Sequence, residues 1–420
     1  MVHFTSKMNT REKVLETINR VYHSGLTSTS GGNISAIDQD GHIFITPSGK
    51  DKGTLVASDI AEVLPTGEKL GEYAPSMELP FHSNIYKLRP DIKGVVHAHA
   101  PAVVAYATAR VVPNSKVARV YEDILGEVVG SVYDLPGSLS LGEIVKAEFA
   151  KGYNAVMMDN HGATVGDENL DKAFMRYETL DRLCLALINA KMLGGVNLPK
   201  RVELASIDTT VEEVCSDEYN AVKQDICDFC KRSYQNLLMA STFGTIAVRV
   251  DGGFLFNPDC VDRNKIEVAD VVLYRDGKLS SANSTRYLAY IKEIFDTNDK
   301  VNCVMISMPS ASMGFAIAHK NIDARLIPES YIMLKDVTKA PYEDIANPAK
   351  IASLLTTTAP ALLVENEGIV TIGKNIIKAF DRLEVLDYSA RSIISALSIA
   401  DIVPINEEQV KEINDTFNGW

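Results

Sequence analysis

The stretch Lys172-Ala-Phe-Met-Arg-Tyr-Glu-Thr-Leu-Asp181 returns later in the chain as Lys378-Ala-Phe-Asp-Arg-Leu-Glu-Val-Leu-Asp387, with seven of ten positions identical. Each occurrence follows an apolar run, an Asn and a Gly. Self-similarity of this kind indicates an internal repeat, which decides the fold before any single helix or strand is considered. The chain is therefore interpreted as two copies of one domain.

Three further pieces of sequence recur upstream in the same order. They are Gly32-Asn-Ile-Ser with Gly244-Thr-Ile-Ala, His42-Ile-Phe-Ile-Thr-Pro47 with Phe254-Leu-Phe-Asn-Pro258, and Gly94-Val-Val-His-Ala-His-Ala-Pro101 with Asn302-Cys-Val-Met-Ile-Ser-Met-Pro309. Pro199, after Gly194-Gly195, is expected to end the long helix of the first copy, and an amphipathic stretch over about 217–238 opens the second. The predicted domains are residues 1–200 and 201–420.

Helical and strand patterns follow one another without strict alternation. The first copy predicts helices over about 10–23 and 78–88, a hairpin with strands at 33–36 and 42–46, buried strands at 95–99 and 155–158, and a helix with apolar positions 173, 177, 180, 184 and 187. This order favours the α/β class in its α+β layered form, with a mixed or antiparallel sheet covered by helices in each domain.

Composition excludes several functional classes. The net charge is −13, and the basic residues do not cluster, which argues against nucleic acid or an anionic membrane as a partner. The first residues lack the apolar core of a signal peptide, and no apolar run reaches the roughly 20 residues of a membrane span, so we expect a cytoplasmic protein. Six scattered cysteines predict no disulfide framework, and Cys227 and Cys230 are interpreted as ordinary helix residues.

Histidines concentrate in the first copy, which holds seven of the eight in the chain. His97 and His99 stand at positions i and i+2 of a predicted strand, so their side chains point to the same face. His161 follows another strand, and three histidines with one open position are typical of catalytic zinc sites. Ordinary polar residues at sheet edges are the alternative interpretation.

The second copy replaces this group as a whole, which favours the metal site. Aligned through the flanking glycines and prolines, the residues opposite His97, His99, Glu78 and His161 are Met305, Ser307, Arg286 and Glu367. Glu78 can fill or flank the open position on the metal. His82, one helical turn later, has either a supporting role beside the site or a packing role.

Two polar loops, 29–33 and 46–50, offer backbone N–H groups and hydroxyls suited to an anion such as a sugar phosphate. Taken alone, each loop is better explained as a simple glycine turn, and the anion-binding interpretation gains weight only beside a metal site.

The first copy resembles the class II aldolase/adducin family, and within it the L-fuculose-1-phosphate aldolase type. The resemblance covers about residues 10–193 and depends on Gly32-Asn33, Thr46-Pro-Ser-Gly49, Pro75-Ser-Met-Glu78 followed by His82, His97-Ala-His99, and Asn160-His161-Gly162. It implies a central, mostly antiparallel sheet flanked by helices. It also implies that the three histidines bind zinc or another divalent ion, and that the glutamate is an acid/base that can touch the metal.

The resemblance further implies that Asn33, Ser48, Gly49 and Ser76 hold a substrate phosphate. Met77 departs from the family pattern, in which a second serine is common at that position. Because a thioether cannot donate a hydrogen bond, this departure weakens the phosphate subsite or indicates a different substrate.

Family members commonly form fourfold rings with active sites between neighbours, so a tandem chain is expected to form a homodimer with a pseudo-fourfold ring, or a higher homo-oligomer. A tyrosine from the adjacent subunit donates a proton in the aldolases. Its match here is Tyr121, with Tyr331 taken as its counterpart in the second copy. We hypothesise that the second copy completes the site of the first through Tyr331; a merely packed tyrosine is the alternative.

The function predicted first is a zinc-dependent aldolase of carbohydrate metabolism. It would cleave a phosphorylated ketose into dihydroxyacetone phosphate and an aldehyde by an enediolate mechanism. Alternatives on the same scaffold are a sugar-acid decarboxylase, a pentulose phosphate 4-epimerase and a dehydratase. A second alternative is a non-catalytic assembly protein of the adducin type.

Overall fold

A computed structural model describes residues 8–212 and 217–417 of the chain. It divides into two compact units, of which the first ends at Cys184 and the second begins at Leu185. This division falls within a long helix, so the predicted domain boundary at residue 200 stays a prediction. Among the described residues, no helix combines the length and apolar character that crossing a membrane requires.

The first unit contains one eight-stranded sheet with helices packed on it. Its strands are β1 (Asn33–Ile37), β2 (Ile43–Ile45), β3 (Ala61–Val63), β4 (Lys69–Leu70), β5 (Gly94–Ala98), β6 (Val128–Ser131), β7 (Ala155–Met158) and β8 (Gly162–Asp167). Its helices are α1 (Thr10–His23), α2 (Leu79–Leu88), α3 (Pro101–Ala109), α4 (Arg119–Leu125), α5 (Leu139–Ala150) and α6 (Leu170–Met192), the last of which continues beyond Cys184. The strand order is β4-β3-β2-β1-β5-β8-β7-β6, and only the β6–β7 pair is parallel.

The second unit contains a nine-stranded sheet. Its strands are β9 (Thr210–Val211), β10 (Thr245–Val250), β11 (Gly253–Phe256), β12 (Val272–Arg275), β13 (Lys278–Leu279), β14 (Cys303–Ser307), β15 (Val337–Ala340), β16 (Ala361–Val364) and β17 (Gly368–Gly373). Its helices are α7 (Asn220–Gln235), α8 (Leu288–Thr297), α9 (Ser310–Ala318), α10 (Pro328–Leu334), α11 (Pro348–Ser353), α12 (Ile376–Ala396) and α13 (Glu407–Thr416).

The strand order of the second sheet is β15-β16-β17-β14-β10-β11-β12-β13-β9. It repeats the order of the first sheet and adds β9, which pairs parallel with β13. The predicted tandem repeat and the predicted mostly antiparallel sheet flanked by helices are therefore confirmed.

Local chemistry explains where several elements begin. Asn9 accepts a hydrogen bond from the N–H of Glu12, whose carboxylate accepts one from the Asn9 N–H, and this capping box starts α1. Cys227 and Cys230 are buried thiols on α7. Cys215 lies outside the described residues.

A hydrophobic core beneath the first sheet anchors α2. Phe81 and Ile85 on the inner face of this helix pack with Val95 of β5 and with Val145 and Phe149 of α5. Burying each such side chain contributes about 1.5–3 kcal/mol to the free energy of unfolding. This packing fixes the position of the first turn of α2 relative to the sheet. Because Glu78 immediately precedes α2, its backbone position relative to the sheet is fixed by the same packing.

The centre of the sheet brings three chain segments together. His97 on β5 is paired with Asn33 on one side and with Thr164 on the other. Gly32 precedes β1 with φ of +66°, and a Cβ atom built there would lie 2.6 Å from the His97 carbonyl oxygen. Only glycine therefore permits β1 to begin this close to β5.

We predict that Gly32→Ala destabilises the chain more than Gly25→Ala does. Both glycines have positive φ, which costs an alanine about 1–2 kcal/mol. Nothing lies within 4 Å of a Cβ atom at Gly25, whereas Gly32→Ala also forces the backbone away from His97, for roughly 1–3 kcal/mol more. Urea unfolding followed by circular dichroism measures both; equal midpoints would show that the close approach does not constrain the fold.

Candidate metal centre

Three imidazoles converge in the first unit. The ligand nitrogens of His97, His99 and His161 all lie within 4.8 Å of one another, and the Nε2 atoms of His97 and His99 are 3.0 Å apart. His99 directly follows β5, and His161 lies in the turn between β7 and β8, which Asn160 forms with φ of +53°. Within residues 8–212 and 217–417 this is the one cluster of such ligands close enough to hold a metal ion.

The hydrogen bonds of His97 fix which of its nitrogens faces the cluster. Its Nδ1 lies 3.1 Å from the carbonyl oxygen of Ala163 and 3.1 Å from the hydroxyl of Thr164. A carbonyl oxygen only accepts, so Nδ1 carries the proton and Nε2 presents a lone pair. That lone pair faces His99 Nε2 at 3.0 Å and is available either to a proton on His99 or to a metal ion.

Burial keeps these imidazoles neutral. It lowers the pKa of His97 well below its ordinary value, with further lowering from His99 and His161. Burial, followed by the charge of His161, lowers the pKa of His99 to about 4. Burial also lowers the pKa of His161, against the attraction of Glu78. Metal coordination requires neutral imidazole, so this set is already in the protonation state that binds a cation near pH 7.

Glu78 completes the donor set. Its Oε2 atom accepts a hydrogen bond of 2.6 Å from Asn33 Nδ2 and lies 3.3 Å from His97 Nε2. Its Oε1 atom is buried without a hydrogen-bond donor, 3.5 Å from His161 Nε2. A buried carboxylate oxygen in this state is costly unless a cation neutralises it. Three neutral imidazoles beside one carboxylate fit a divalent ion, and their identity fits zinc.

His82 supports Asn33 instead of joining the cluster. Its Nε2 atom lies 2.5 Å from Asn33 Oδ1, and the ring is fully buried. Burial lowers the pKa of His82 to about 3, so the ring is neutral. Of the two roles left open by the sequence, the contact with Asn33 favours the supporting one.

The predicted phosphate residues lie beside Glu78. An isolated bridge between Pro47 and Pro75 places the Ser48-Gly49 turn next to Ser76. The Ser76 hydroxyl accepts from the Glu78 N–H at 3.3 Å, and Gly49 is exposed with φ of +70°. Asn33 differs, because its amide is engaged by Glu78 and His82. The phosphate role of these four residues stays a prediction.

The two predicted tyrosines do not occupy equivalent positions. Helices α4 and α10 each span seven residues, and Tyr121 is the third residue of α4, where α10 has Ser330. Tyr331 is the fourth, so it corresponds to Glu122 and the predicted pairing with Tyr121 is wrong. Tyr121 is wholly buried, which raises its pKa, while the half-buried Tyr331 accepts a hydrogen bond from Asn414 Nδ2 at 3.0 Å. Their catalytic roles stay predictions.

Strand register also corrects the assignment of the altered ligands. On β14 the residue paired with both Thr245 and Val370 is Ile306, as His97 is paired with Asn33 and Thr164. The alignment through prolines is wrong by one residue, because Pro101 lies inside α3 whereas Pro309 precedes α9. The residues replacing His97 and His99 are therefore Ile306 and Met308, in place of Met305 and Ser307. Glu78 and Tyr287 each immediately precede a ten-residue helix, α2 or α8, so Tyr287 and not Arg286 replaces Glu78. Glu367 remains the counterpart of His161.

The second copy has filled this place with its own side chains. The Tyr287 hydroxyl donates to Glu367 Oε1 at 2.9 Å. Buried Phe243 stands where the first copy has Gly31, at which a Cβ atom would lie 2.9 Å from His99 Nδ1. The prediction that the second copy lacks the metal ligands is confirmed.

Sequence reasoning missed two residues next to this centre. Ser35 lies two positions after Asn33 on β1, and Tyr86 lies one turn after His82 on α2, so both share the faces of residues already considered. The spacing 78, 82 and 86 along one helix face was the signal that would have identified Tyr86.

Comparison with known proteins agrees with this description. Residues 12–188 and 224–394 each match the model of the class II aldolase and adducin N-terminal domain. The 3-oxo-tetronate 4-phosphate decarboxylase of Pectobacterium atrosepticum is 29% identical over 181 residues, which are 42% of this chain and 83% of that protein. The 5-deoxy-D-ribulose 1-phosphate aldolase of Bacillus thuringiensis is 28% identical over 211 residues, or 47% and 92%. An L-fuculose 1-phosphate aldolase structure matches 46% of this chain and 92% of its own, with 27% identity and a TM-score of 0.42.

We predict one zinc ion per chain, because one copy carries the ligand set. Elemental analysis of protein purified without chelator and offered zinc should find a single equivalent. A His97→Ala, His99→Ala variant should lose it, whereas His319→Ala, which removes the histidine of the second copy, should retain it. Two equivalents in the wild type would contradict the account of the second copy, and none would contradict the site itself.

Proposed function

The chain belongs to the class II aldolase and adducin family, and on that premise we propose that its first copy is a metal-dependent lyase. It would act on a phosphorylated sugar or sugar acid and break the bond between the carbon next to the carbonyl group and the carbon that follows, which leaves a carbanion next to the carbonyl. The observation that carries the proposal is the buried Glu78 carboxylate held against three neutral imidazoles. A domain used only for assembly has no need of such an arrangement.

Residues His97, His99 and His161 would hold the ion. Bound there, zinc would act as a Lewis acid that polarises the substrate carbonyl and so stabilises the electron pair left by the broken bond. Glu78 would carry the proton that the carbanion carbon gains in one direction and loses in the other; its distances of 3.3 and 3.5 Å from two of the imidazoles support this role. The Ser48-Gly49 turn and Ser76 would hold the phosphate at the open side of the site. Met77 is 71% exposed, so its thioether does not replace them.

The first candidate reaction is decarboxylation of a 3-oxo sugar acid phosphate. Similarity to 3-oxo-tetronate 4-phosphate decarboxylases supports it. Loss of carbon dioxide forms no aldehyde, so this reaction needs no group that moves a proton at an aldehyde oxygen. The burial of Tyr121, the donor predicted from the first copy, is consistent with a reaction that needs none.

The second candidate is the retro-aldol cleavage predicted first from the sequence. Similarity to 5-deoxy-D-ribulose 1-phosphate aldolase favours it. Cleavage of a ketose 1-phosphate leaves the same phosphorylated three-carbon carbanion as decarboxylation of a 3-oxo-tetronate 4-phosphate, so Glu78 has the same task in both reactions. Cleavage turns a substrate hydroxyl into the aldehyde carbonyl, so that oxygen must give up its proton. Tyr331 of a neighbouring chain in a homo-oligomer remains the group proposed to move this proton, which it would return to the oxygen in the condensation direction.

We predict that zinc-loaded protein releases either carbon dioxide or an aldehyde, together with dihydroxyacetone phosphate. The two substrates are 3-oxo-tetronate 4-phosphate and 5-deoxyribulose 1-phosphate, and each product is assayed separately. Glu78→Gln should lower kcat about 10²- to 10⁴-fold, because the amide keeps the shape but cannot carry a proton to the carbanion carbon. Glu367→Gln, the matched change in the second copy, should leave kcat unchanged.

Further outcomes separate the candidates. Loss of aldehyde release in Tyr331→Phe, with carbon dioxide release intact, assigns the tyrosine to aldol chemistry. Turnover of neither substrate class would contradict the lyase proposal, and full activity of Glu78→Gln would exclude Glu78 as the proton carrier.

A further inference from the structure

A chain of hydrogen bonds leads from the candidate centre into the core. Asn33 Nδ2 lies 2.6 Å from Glu78 Oε2, and Asn33 Oδ1 lies 2.5 Å from His82 Nε2. His82 Nδ1 lies 2.6 Å from the Ser35 hydroxyl, which lies 2.7 Å from the hydroxyl of Tyr86. These five residues therefore form one continuous series, starting at the proposed proton carrier and ending about two helical turns away along α2.

Chemistry allows only one direction for these bonds. An ionised Glu78 only accepts, so the Asn33 amide must present Nδ2 to it and Oδ1 to His82. His82 Nε2 then carries the proton, which leaves Nδ1 of the neutral ring to accept from Ser35. The Ser35 oxygen is in turn the acceptor for Tyr86. Every donor points toward Glu78.

Burial protects the series from water. All five side chains are buried, from fully in Ser35 and His82 to 7% exposed in Glu78. Competing hydrogen bonds with solvent are therefore absent, and each bond is stronger than it would be at the surface. An asparagine amide that turned over would place its oxygen against the carboxylate, and the His82 N–H group opposes that turn.

The second copy has lost the whole series while keeping the fold. At the positions of Asn33, Ser35, Glu78, His82 and Tyr86, it carries Thr245, Ala247, Tyr287, Ile291 and Phe295. The same strand and helix form in both copies, so neither element needs these polar groups to fold. The hydrogen-bonded series is thus present in the copy that has the metal ligands and absent from the copy that lacks them, although both copies have the same fold.

We infer that His82, Ser35 and Tyr86 are positioning residues, which fix the Asn33 amide so that it donates to Glu78 and holds the carboxylate aimed at the reacting carbon. None of the three needs to touch substrate. The kinetic part of this inference rests on the proposed function, whereas the direction of the hydrogen bonds does not.

Ser35→Ala and Tyr86→Phe test the inference, because Ala247 and Phe295 show that the fold accepts these residues at the equivalent positions. We expect each variant to keep its zinc and its KM and to lose about 10- to 100-fold in kcat, as supporting residues of metal sites do. The matched control is Tyr290→Phe in the second copy. It also removes a buried tyrosine hydroxyl, which in this case donates to the carbonyl oxygen of Ile345 at 2.6 Å. It should lower the unfolding midpoint similarly and leave kcat unchanged.

A second measurement needs no substrate. One-bond nitrogen–proton couplings of the His82 ring, read by NMR in the wild-type protein, should show the proton on Nε2 and a bare Nδ1. A proton on Nδ1 would overturn the inference whatever the activity. With the Nε2 tautomer present, unchanged kcat in Ser35→Ala and Tyr86→Phe would overturn the positioning role. Failure to turn over any substrate counts against the lyase and leaves the tautomer result standing.

Discussion

A carboxylate buried with a single hydrogen-bond donor is the constraint on which the first unit depends. The Glu78 oxygens lie 3.3 Å from His97 Nε2, which has no proton to offer, and 3.5 Å from His161 Nε2, so a cation bound between these groups would stabilise the buried carboxylate. Other features of the first unit fix the positions of Glu78 and of the histidines around it. The apolar face of α2 fixes the height of Glu78, Gly32 lets β1 approach β5, and the sheet order places Asn33 and Thr164 on either side of His97.

The two copies show that the fold can be kept while the residues of the site are replaced. Both sheets share one strand order, and both copies keep an asparagine with positive φ just before the position of His161 or Glu367. The polar groups of the site, by contrast, are replaced together. Removing one member alone would leave a buried donor or acceptor without a partner, at about 1–3 kcal/mol each, so replacement as a group is the less costly outcome.

The sequence predicted the repeat, the sheet type, α1 and the convergence of three histidines, because each leaves a local pattern. It did not predict the register of β14. Residue spacing cannot tell a proline inside α3 from one that precedes α9, and in a strand one residue of slip exchanges the two faces. The residues around His82 were also missed: the spacing 78, 82 and 86 places Tyr86 on the same helix face, but its contact with Ser35 forms only in the folded chain.

Phe243 and the Tyr287–Glu367 hydrogen bond have an evolutionary consequence. Restoring a histidine at Ile306 or Met308 alone would supply one imidazole without the other ligands that a metal ion needs, while Tyr287 and Glu367 remain hydrogen-bonded to each other. No single substitution would therefore restore metal binding in the second domain. Recovery of the site requires several residues to change together, whereas changes on the outer surface of the domain do not depend on one another in this way.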